Sequence, residues 1–372
     1  MRLIHTADLH LDSSLKTNLD DYKRKERKGE LTSNFARLSD TADNLNIKII
    51  LIAGDLFDTG SISKTVARAV LIEIEEHPTI DYYYLKGNHD KDSFVRFIEE
   101  LGEVPGNLHM FDDTWSSYVL AEGKKRVVLT GAEFKNGNSG MLVSSLNLDP
   151  YDINIVMLHG QENEYTGKDT SDVIPITKLK GMGIDYLALG HIHERREGVI
   201  DSRGKYVYPG CLEGRGFDEC GNHGFVIADI DEEKGSVSTE YVDFAKRRLH
   251  HLVIDVSLLS SSEEIVKAAK QKIAESSIKP KDYIKLELVG YVDEECEIDT
   301  DYITACFSNE YYFVKTTDST EIKIDYEKFV GDESLKGWFI KMVKESDEMD
   351  EDTKAKVVRM GINALTDGEV TI

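Results

Sequence analysis

The chain has 372 residues, of which 40% are hydrophobic and 31% charged, and its formal net charge at pH 7 is −24. This composition is typical of a soluble globular protein of roughly two domains, and the absence of an apolar run of about 18 residues excludes a predicted transmembrane helix. The acidic balance also excludes nucleic-acid binding by overall charge, so a contact with DNA would need a local basic patch.

Up to about residue 230, strand-like and helix-like segments alternate. Short apolar, β-branched runs predict strands, and apolar residues spaced by three and four predict helices. In chain order the predicted elements are strand 2–7, helix 30–45, strand 47–53, helix 63–76, strand 81–85, helix 93–101 and strands 127–130, 153–158, 186–189, 206–209 and 224–229. This alternation predicts a layered α/β fold with a mixed sheet.

The composition changes after about residue 245. The predicted elements there are strands 251–256, 283–289, 311–314 and 321–325, a capped helix at 262–276 and two amphipathic helices between 335 and 365. We therefore expect a large α/β domain at 1–245, a small α+β capping domain at 246–328 and a helical C-terminal segment at 329–372.

Five short polar motifs follow predicted strands. They are Asp8–His10, Gly54–Asp58, Gly87–Asp90, Leu158–Gly160 and Gly190–His193. Because ligand sites in open α/β sheets lie beyond the carboxyl ends of the strands, we expect the motifs to share one site.

Seven side chains of these motifs combine hard oxygen donors with imidazoles, the mixture that a pair of divalent transition ions needs. The seven are Asp8, His10, Asp55, Asn88, His159, His191 and His193. A carboxylate such as Asp55 can bridge two ions. Two ions about 3.5–4 Å apart would generate a hydroxide and stabilise an in-line displacement at phosphorus.

The ordered set D-x-H, G-D-x-x-D, G-N-H-D, H-G and G-H-x-H resembles the calcineurin-like metallophosphoesterase superfamily. The segments Leu3–Asp12, Ile52–Asp58, Ala188–His193 and Tyr208–Gly210 resemble the SbcD-type DNA repair exonucleases, and the C-terminal third is similar to YhaO-type bacterial members. The resemblance implies a four-layer α/β/β/α sandwich with two divalent metal ions, for which we expect Mn²⁺.

The resemblance also implies individual roles. One ion would be held by Asp8, His10, Asp55 and His193, and the other by Asp55, Asn88, His159 and His191. His89 would face the scissile phosphate and protonate the leaving oxygen, with Asp90 orienting it.

This chain departs from the family pattern at two positions. Asp58 stands where archaeal and eukaryotic relatives often have a histidine, so support of a metal ligand and simple turn capping both stay open. The usual Pro-Gly-Ser is Pro209-Gly210-Cys211, which leaves the substrate contacts of that loop open.

Three basic residues are candidates for contact with substrate phosphate. Lys23 and Arg24 open a basic run that is either a solvated helix start or a contact with the phosphate backbone. Arg215 lies in the Gly-rich loop 213–218, which we expect near the site.

We therefore expect a metal-dependent DNA nuclease, specifically an exonuclease of DNA repair. Two alternatives stay open: a small-molecule or nucleotide phosphodiesterase, which the acidic surface favours, and a non-catalytic scaffold for an SbcC-like ATPase. The resemblance implies DNA as substrate, an SbcC-like SMC-type ABC ATPase as partner, and a homodimer.

The apolar stripes of the C-terminal helices would either pack on their own domain or dock helices of that partner.

The location and redox state follow from the N-terminus and the cysteines. The first residues lead directly into the D-x-H motif, whereas a signal peptide would place a longer apolar stretch there. The four cysteines are widely spaced, without a C-x-x-C pair. We expect free thiols and a cytoplasmic protein that does not associate with membranes.

Overall fold

The computed structural model describes residues 1–15, 19–58, 62–102, 104–134, 139–163, 165, 172–292, 296, 298–322 and 331–366. The chain divides into two compact units, Met1–Arg248 and Leu249–Ile372. The three-part division drawn from composition stays a prediction.

The first unit alternates strands and helices along the chain. Its elements are β1 (Arg2–Thr6), α1 (Asp21–Asn44), β2 (Ile49–Ala53), α2 (Lys64–Glu76), β3 (Asp81–Leu85), α3 (Ser93–Leu101), β4 (Leu108–Met110), β5 (Ser116–Glu122), β6 (Arg126–Gly131), α4 (Ser139–Ser145), β7 (Ile153–His159), β8 (Gln161–Glu162), β9 (Val173–Ile174), α5 (Ile176–Leu179), β10 (Tyr186–Gly190), β11 (Arg196–Val199), β12 (Lys205–Tyr208), β13 (Gly224–Asp231) and β14 (Ser236–Asp243).

Two mixed six-stranded sheets form the centre of this unit. One has the order β14-β13-β1-β2-β3-β4 and the other β11-β12-β10-β7-β6-β5. In the first sheet β1, β2, β3 and β4 run parallel, and in the second β6, β7, β10 and β12 do. The strands that carry the motifs are therefore internal and parallel within their sheets.

Hydrophobic clusters on both faces of each sheet explain the long apolar runs of the central strands. Ile4 and Ile50 belong to the cluster that contains buried residues of α1, α2 and α3, whereas the alternate residues Leu3 and Leu51 belong to the cluster shared by the two sheets. A third cluster packs α4 and α5 on the far side of the second sheet. The unit is thus the four-layer α/β/β/α sandwich that the sequence predicts.

The structure adds elements that the sequence pattern does not reveal. Helix α1 begins at Asp21, earlier than predicted, because the side chain of Asp20 caps it by accepting from the Lys23 amide at 2.8 Å. The edge strands β4, β5, β11 and β14 were also missed. Most of their residues are half-buried or exposed, so they lack the continuous apolar runs of internal strands.

The second unit is a smaller α+β structure. Its elements are β15 (Leu249–Asp255), α6 (Ser262–Glu275), β16 (Tyr283–Val289), β17 (Tyr291–Val292), α7 (Thr300–Ser308), β18 (Phe313–Asp318), β19 (Glu321–Ile322), α8 (Leu335–Lys344) and α9 (Glu351–Thr366). Helices α6 and α7 pack on the parallel sheet β15-β16-β18, and α8 packs against α9. The part of the predicted strand 321–325 beyond Ile322 lies outside the described residues, and α7 was missed.

All four cysteines have free thiols, as predicted. Among the described helices, none combines the length and hydrophobicity needed to cross a bilayer.

A buried ionic network ties helix α1 to the loop that follows β12. Arg27 contacts Glu30 at 3.1 Å and Glu213 at 2.7 Å, and it donates to the Gly214 carbonyl at 2.8 Å. Arg247 contacts Glu30 at 2.6 Å. Because both glutamates and both arginines are buried, this network fixes the loop that carries Arg215.

The network predicts an acid-sensitive contribution to stability. Burial alone would raise the pKa of the Glu30 carboxyl, but Arg247 and Lys246 outweigh it and lower the pKa from 4.5 to about 2. Glu30→Gln should reduce the free energy of unfolding near pH 7 by about 3–5 kcal/mol, because buried cations lose their partner. Since the Glu30 contribution is complete above pH 4.5 and is lost as the pH falls towards 2, the difference from wild type should narrow over that interval.

Urea titrations of both proteins at several pH values measure this difference. The matched control is Glu75→Gln, at an exposed position of α2, which should change stability by less than about 0.5 kcal/mol. Equal stability of wild type and Glu30→Gln near pH 7 would contradict a structural role for the network.

Candidate metal centre

The five motifs meet at the carboxyl ends of β1, β2, β3, β7 and β10, where tight turns leave the two sheets. Asp8, His10, Asp55 and His191 all adopt a positive φ, between 46° and 102°. Residues other than glycine rarely take this conformation, and such backbone strain concentrates at functional sites.

Glycine is required where the backbone passes closest to the site. A Cβ atom on Gly54, whose φ is 91°, would lie 2.1 Å from Nδ1 of His159, and one on Gly87 would lie 2.2 Å from Oδ1 of Asp55. The glycines of the G-D and G-N-H-D motifs thus leave room for His159, at the end of β7, and for Asp55, in the loop after β2.

All seven predicted ligands converge. In one group, donor atoms of Asp8, His10 and His193 lie within 4.8 Å of one another, and Nε2 of His10 is 3.0 Å from Nε2 of His193. The Asp8 carboxylate also accepts from the backbone amide of His191 at 3.0 and 3.1 Å, which joins the loop after β1 to the loop after β10.

The second group surrounds Asn88. Its Oδ1 lies 2.9 Å from Nε2 of His159 and 3.0 Å from Nδ1 of His191. Donor atoms of Asp8, Asp55 and His159 also lie within 4.8 Å of one another.

Asp55 stands between the two groups. Its Oδ2 is 3.8 Å from Nε2 of His10 and 3.4 Å from Nε2 of His159, while its Oδ1 accepts from the backbone amide of His89 at 2.9 Å. This is the position expected of a carboxylate that bridges two cations.

The hydrogen bonds outside the two groups fix which ring nitrogens face inward. Nδ1 of His159 donates to the Ala53 carbonyl at 2.9 Å, Nδ1 of His193 donates to Glu219 at 2.7 Å, and Nδ1 of His10 is 3.0 Å from Asp58. The Nε2 atoms therefore face one another and carboxylate and amide oxygens, where a neutral ring would offer its lone pair to a cation. Metal-ligating histidines usually have such outer partners, so the donor set fits divalent cations.

Burial and mutual charge act strongly on these groups. Burial raises the pKa of Asp8 to about 6 and lowers that of His10 to about 4. Burial alone would raise the pKa of Asp55 and lower that of His159. The attraction between the two side chains outweighs burial, so the pKa of Asp55 is lowered and that of His159 is raised. Buried carboxylates this close to one another favour positive charge in the site.

Asp58 contacts two histidines, and its support of a metal ligand stays a prediction. Its carboxylate contacts His10, and its backbone carbonyl accepts from Nδ1 of His89 at 3.3 Å, with the carboxylate 3.8 Å from the same atom. The His89 side chain is 45% exposed, whereas that of His10 is fully buried, so His89 is the imidazole that can meet a substrate.

Asp90 does not take the position expected for it. Its carboxylate accepts from the backbone amides of Phe57 at 2.8 Å, Leu56 at 3.2 Å and Gly87 at 3.0 Å, so its described hydrogen bonds hold two loops together and do not orient His89. The reason is that the Asp90 side chain is buried between the loops that follow β2 and β3. Burial and the nearby Asp55 raise the pKa of Asp90 to about 7.

Arg215 lies at the site as part of an ionic network. Its guanidinium contacts Asp58 at 2.7 Å and Glu219 at 3.0 Å, and its backbone amide donates to Glu219 at 2.7 Å. Arg215 thus links the carboxylates that support His10 and His193. Sequence reasoning missed Glu219, which follows the singled-out loop by one residue and belongs to none of the five motifs.

An open cleft of about 440 Å³ lies over the centre. It is lined by Asp55, His89, Tyr165, His191, His193, Glu194, Arg195, Asp218, Glu219, Cys220, Asn222 and His223. Sequence reasoning also missed Tyr165 and Arg195, which stand outside the motifs. The described lining of the cleft does not include Lys23 or Arg24. Arg24 contacts Asp21 at 2.9 Å. The contact of Lys23 and Arg24 with substrate stays a prediction.

Comparison with known proteins agrees with this geometry. The model of the calcineurin-like phosphoesterase family matches residues 1–195. The uncharacterised metallophosphoesterase YhaO of Bacillus subtilis is 27% identical over 257 residues, 65% of this chain and 60% of the relative.

A DNA repair protein and a nuclease subunit are also similar. The DNA double-strand break repair protein Mre11 of Methanopyrus kandleri is 27% identical over 65% of this chain and 57% of its own length. SbcD, from the SbcCD nuclease of Escherichia coli K12, is 24% identical over 61% of this chain and 64% of its own length.

The matched regions thus span about three fifths of the length of these relatives. The family model covers more than half of the chain and contains all seven converging side chains. The chain belongs to the calcineurin-like phosphoesterase family of metal-dependent hydrolases, with relatives that include YhaO, Mre11 and SbcD, as the motifs predict.

Proposed function

We propose that this chain is a metal-dependent DNA nuclease, an exonuclease of DNA repair, that uses two divalent ions, preferably Mn²⁺. The observation that carries the proposal is the convergence of seven donor side chains on both sides of Asp55, beneath an open cleft. Asp8, His10, Asp55 and His193 would hold one ion, and Asp55, Asn88, His159 and His191 the other. Ions held there would supply an activated water and positive charge at the phosphate.

The protein's own residues would position and complete the reaction. The partly buried carboxylates of Asp58 and Glu219 keep the Nε2 atoms of His10 and His193 directed inward. His89, held through Nδ1 by the Asp58 carbonyl, presents Nε2 to the cleft and, when protonated, donates to the leaving oxygen. Arg215 is tied to Asp58 and Glu219, so its first role is to hold these carboxylates, with the substrate phosphate as a further contact.

DNA is the substrate that the relatives' names favour. Mre11 is named a DNA double-strand break repair protein, and SbcD is named as part of a nuclease. The cleft is open and holds more than a phosphate group, which suits a polymer that extends beyond the centre. The net charge of −24 favours the alternative, a small phosphodiester or nucleotide.

The experiment that separates the two compares kcat/KM on end-labelled single-stranded and duplex DNA with kcat/KM on bis(p-nitrophenyl) phosphate, at saturating Mn²⁺. We expect cleavage of DNA, with release of mononucleotides from an end. Hydrolysis of the small diester without any cleavage of DNA would replace the nuclease by a small-molecule phosphodiesterase.

The partner we propose is an SbcC-like SMC-type ATPase that binds the C-terminal helices. Leu335, Trp338 and Met342 lie on one face of α8, at spacings of three and four, and are 71%, 64% and 66% exposed. An apolar stripe of this kind suits docking of a partner's helices. We also propose that the protein forms a homodimer. We propose a cytoplasmic location, because free thiols are typical of that compartment.

The role of His89 predicts a separation of metal binding from turnover. His89→Ala should reduce kcat by about 10²–10⁴-fold, because it removes the proton donor, and should leave the number of bound Mn²⁺ ions unchanged. Stopped assays on DNA and metal analysis of the purified variant measure the two quantities.

The matched control is His251→Ala, a half-exposed histidine of β15 that contacts Glu287, which should keep both turnover and metal content. Full turnover of His89→Ala would remove His89 from the mechanism. Absence of turnover in the metal-loaded wild type itself would favour the scaffold alternative.

A further inference from the structure

The cleft over the metal centre contains an aromatic ring that hydrolysis of a phosphodiester does not require. Tyr165 lines this cleft together with His89, His191 and His193. The volume of about 440 Å³ lies within the range of about 300–1,000 Å³ that holds small organic ligands. With a phosphate group bound at the metal centre, the cleft would still have room for one of the groups esterified to that phosphate.

Contacts with Arg196 and with the core fix the ring of Tyr165. The guanidinium of Arg196 lies 5.0 Å from the ring centroid, and Arg196 in turn contacts the buried carboxylate of Glu162 at 3.1 Å. Tyr165 also packs against the core on the outer face of the second sheet. A ring fixed in this way can stack on a ligand in the cleft at little cost in conformational entropy.

Hydrogen-bonding groups stand in the same cleft. Asp218 and Asn222 contribute a carboxylate and an amide, and Arg195 contributes a guanidinium that lies 5.1 Å from the ring centroid of Tyr241. A flat ring beside donors and acceptors has the composition of a nucleobase site, since every base has a π-face and polar edges.

We propose that Tyr165 stacks on the nucleobase next to the scissile phosphate, so that the nucleotide being cleaved is bound with its base unpaired. This inference rests on the proposed nuclease function and deepens it. The substrate class is a single-stranded end or a duplex end that has opened. Stacking on Tyr165 is incompatible with a base that is still stacked and paired within a duplex.

The test uses the full chain with saturating Mn²⁺ and 5′-labelled single-stranded DNA, either intact or with one abasic residue at each of the terminal positions in turn. For the wild type, kcat/KM should fall by about 5- to 150-fold when the abasic residue occupies the cleft, the range that base–aromatic stacking gives. With Tyr165→Ala the ratio of rates on intact and abasic DNA should fall towards one, and with Tyr165→Phe it should stay as in the wild type.

The matched control is Tyr151→Ala, at a tyrosine that is 82% exposed and outside the cleft lining, which should keep the wild-type ratio. Equal wild-type rates on intact and abasic DNA at every position would overturn the inference without any variant. A wild-type ratio retained in Tyr165→Ala would overturn it as well. Both results leave the nuclease intact, whereas failure of the wild type to cleave any DNA would instead reject the proposed function.

Discussion

The centre depends on histidine nitrogens that face one another and face carboxylate and amide oxygens, an arrangement that needs positive charge among them. Nδ1 of His193 donates to Glu219 and that of His10 contacts Asp58, so their Nε2 atoms face each other at 3.0 Å. Nε2 of His159 likewise faces an amide and a carboxylate oxygen. Positive charge, from a cation or from additional protons, is needed to stabilise this set. A pair of divalent cations would meet that need and would supply the chemistry proposed for the centre.

The fold supplies the rigidity that holds these groups together. Strained turns with positive φ leave internal strands whose two faces are both buried, and Asp90 clamps the loops after β2 and β3 through three backbone amides. The buried network of Arg27, Glu30 and Glu213 fixes the loop before Arg215, and Arg215 joins Asp58 to Glu219. Through this loop, ion pairs thus connect the buried network to the carboxylates that contact His10 and His193.

The sequence allowed the central strands and all seven converging side chains to be predicted, because each motif follows a continuous apolar run that is recognisable by itself. Edge strands such as β5 were missed because their exposed faces interrupt the apolar pattern. Glu219 and Tyr165 were missed because their contacts arise only when distant segments fold together. Asp90 was misplaced for a similar reason: adjacency to His89 in the chain suggested a contact, whereas burial directs its carboxylate to the backbone.

Anomalous diffraction at the manganese absorption edge, from crystals grown with Mn²⁺, tests the central claim most directly. We expect two peaks about 3.5–4 Å apart on opposite sides of Oδ2 of Asp55, one beside His10 and His193 and the other beside Asn88 and His159. No peak at this position under saturating Mn²⁺, or peaks bound elsewhere on the acidic surface, would contradict a two-metal centre.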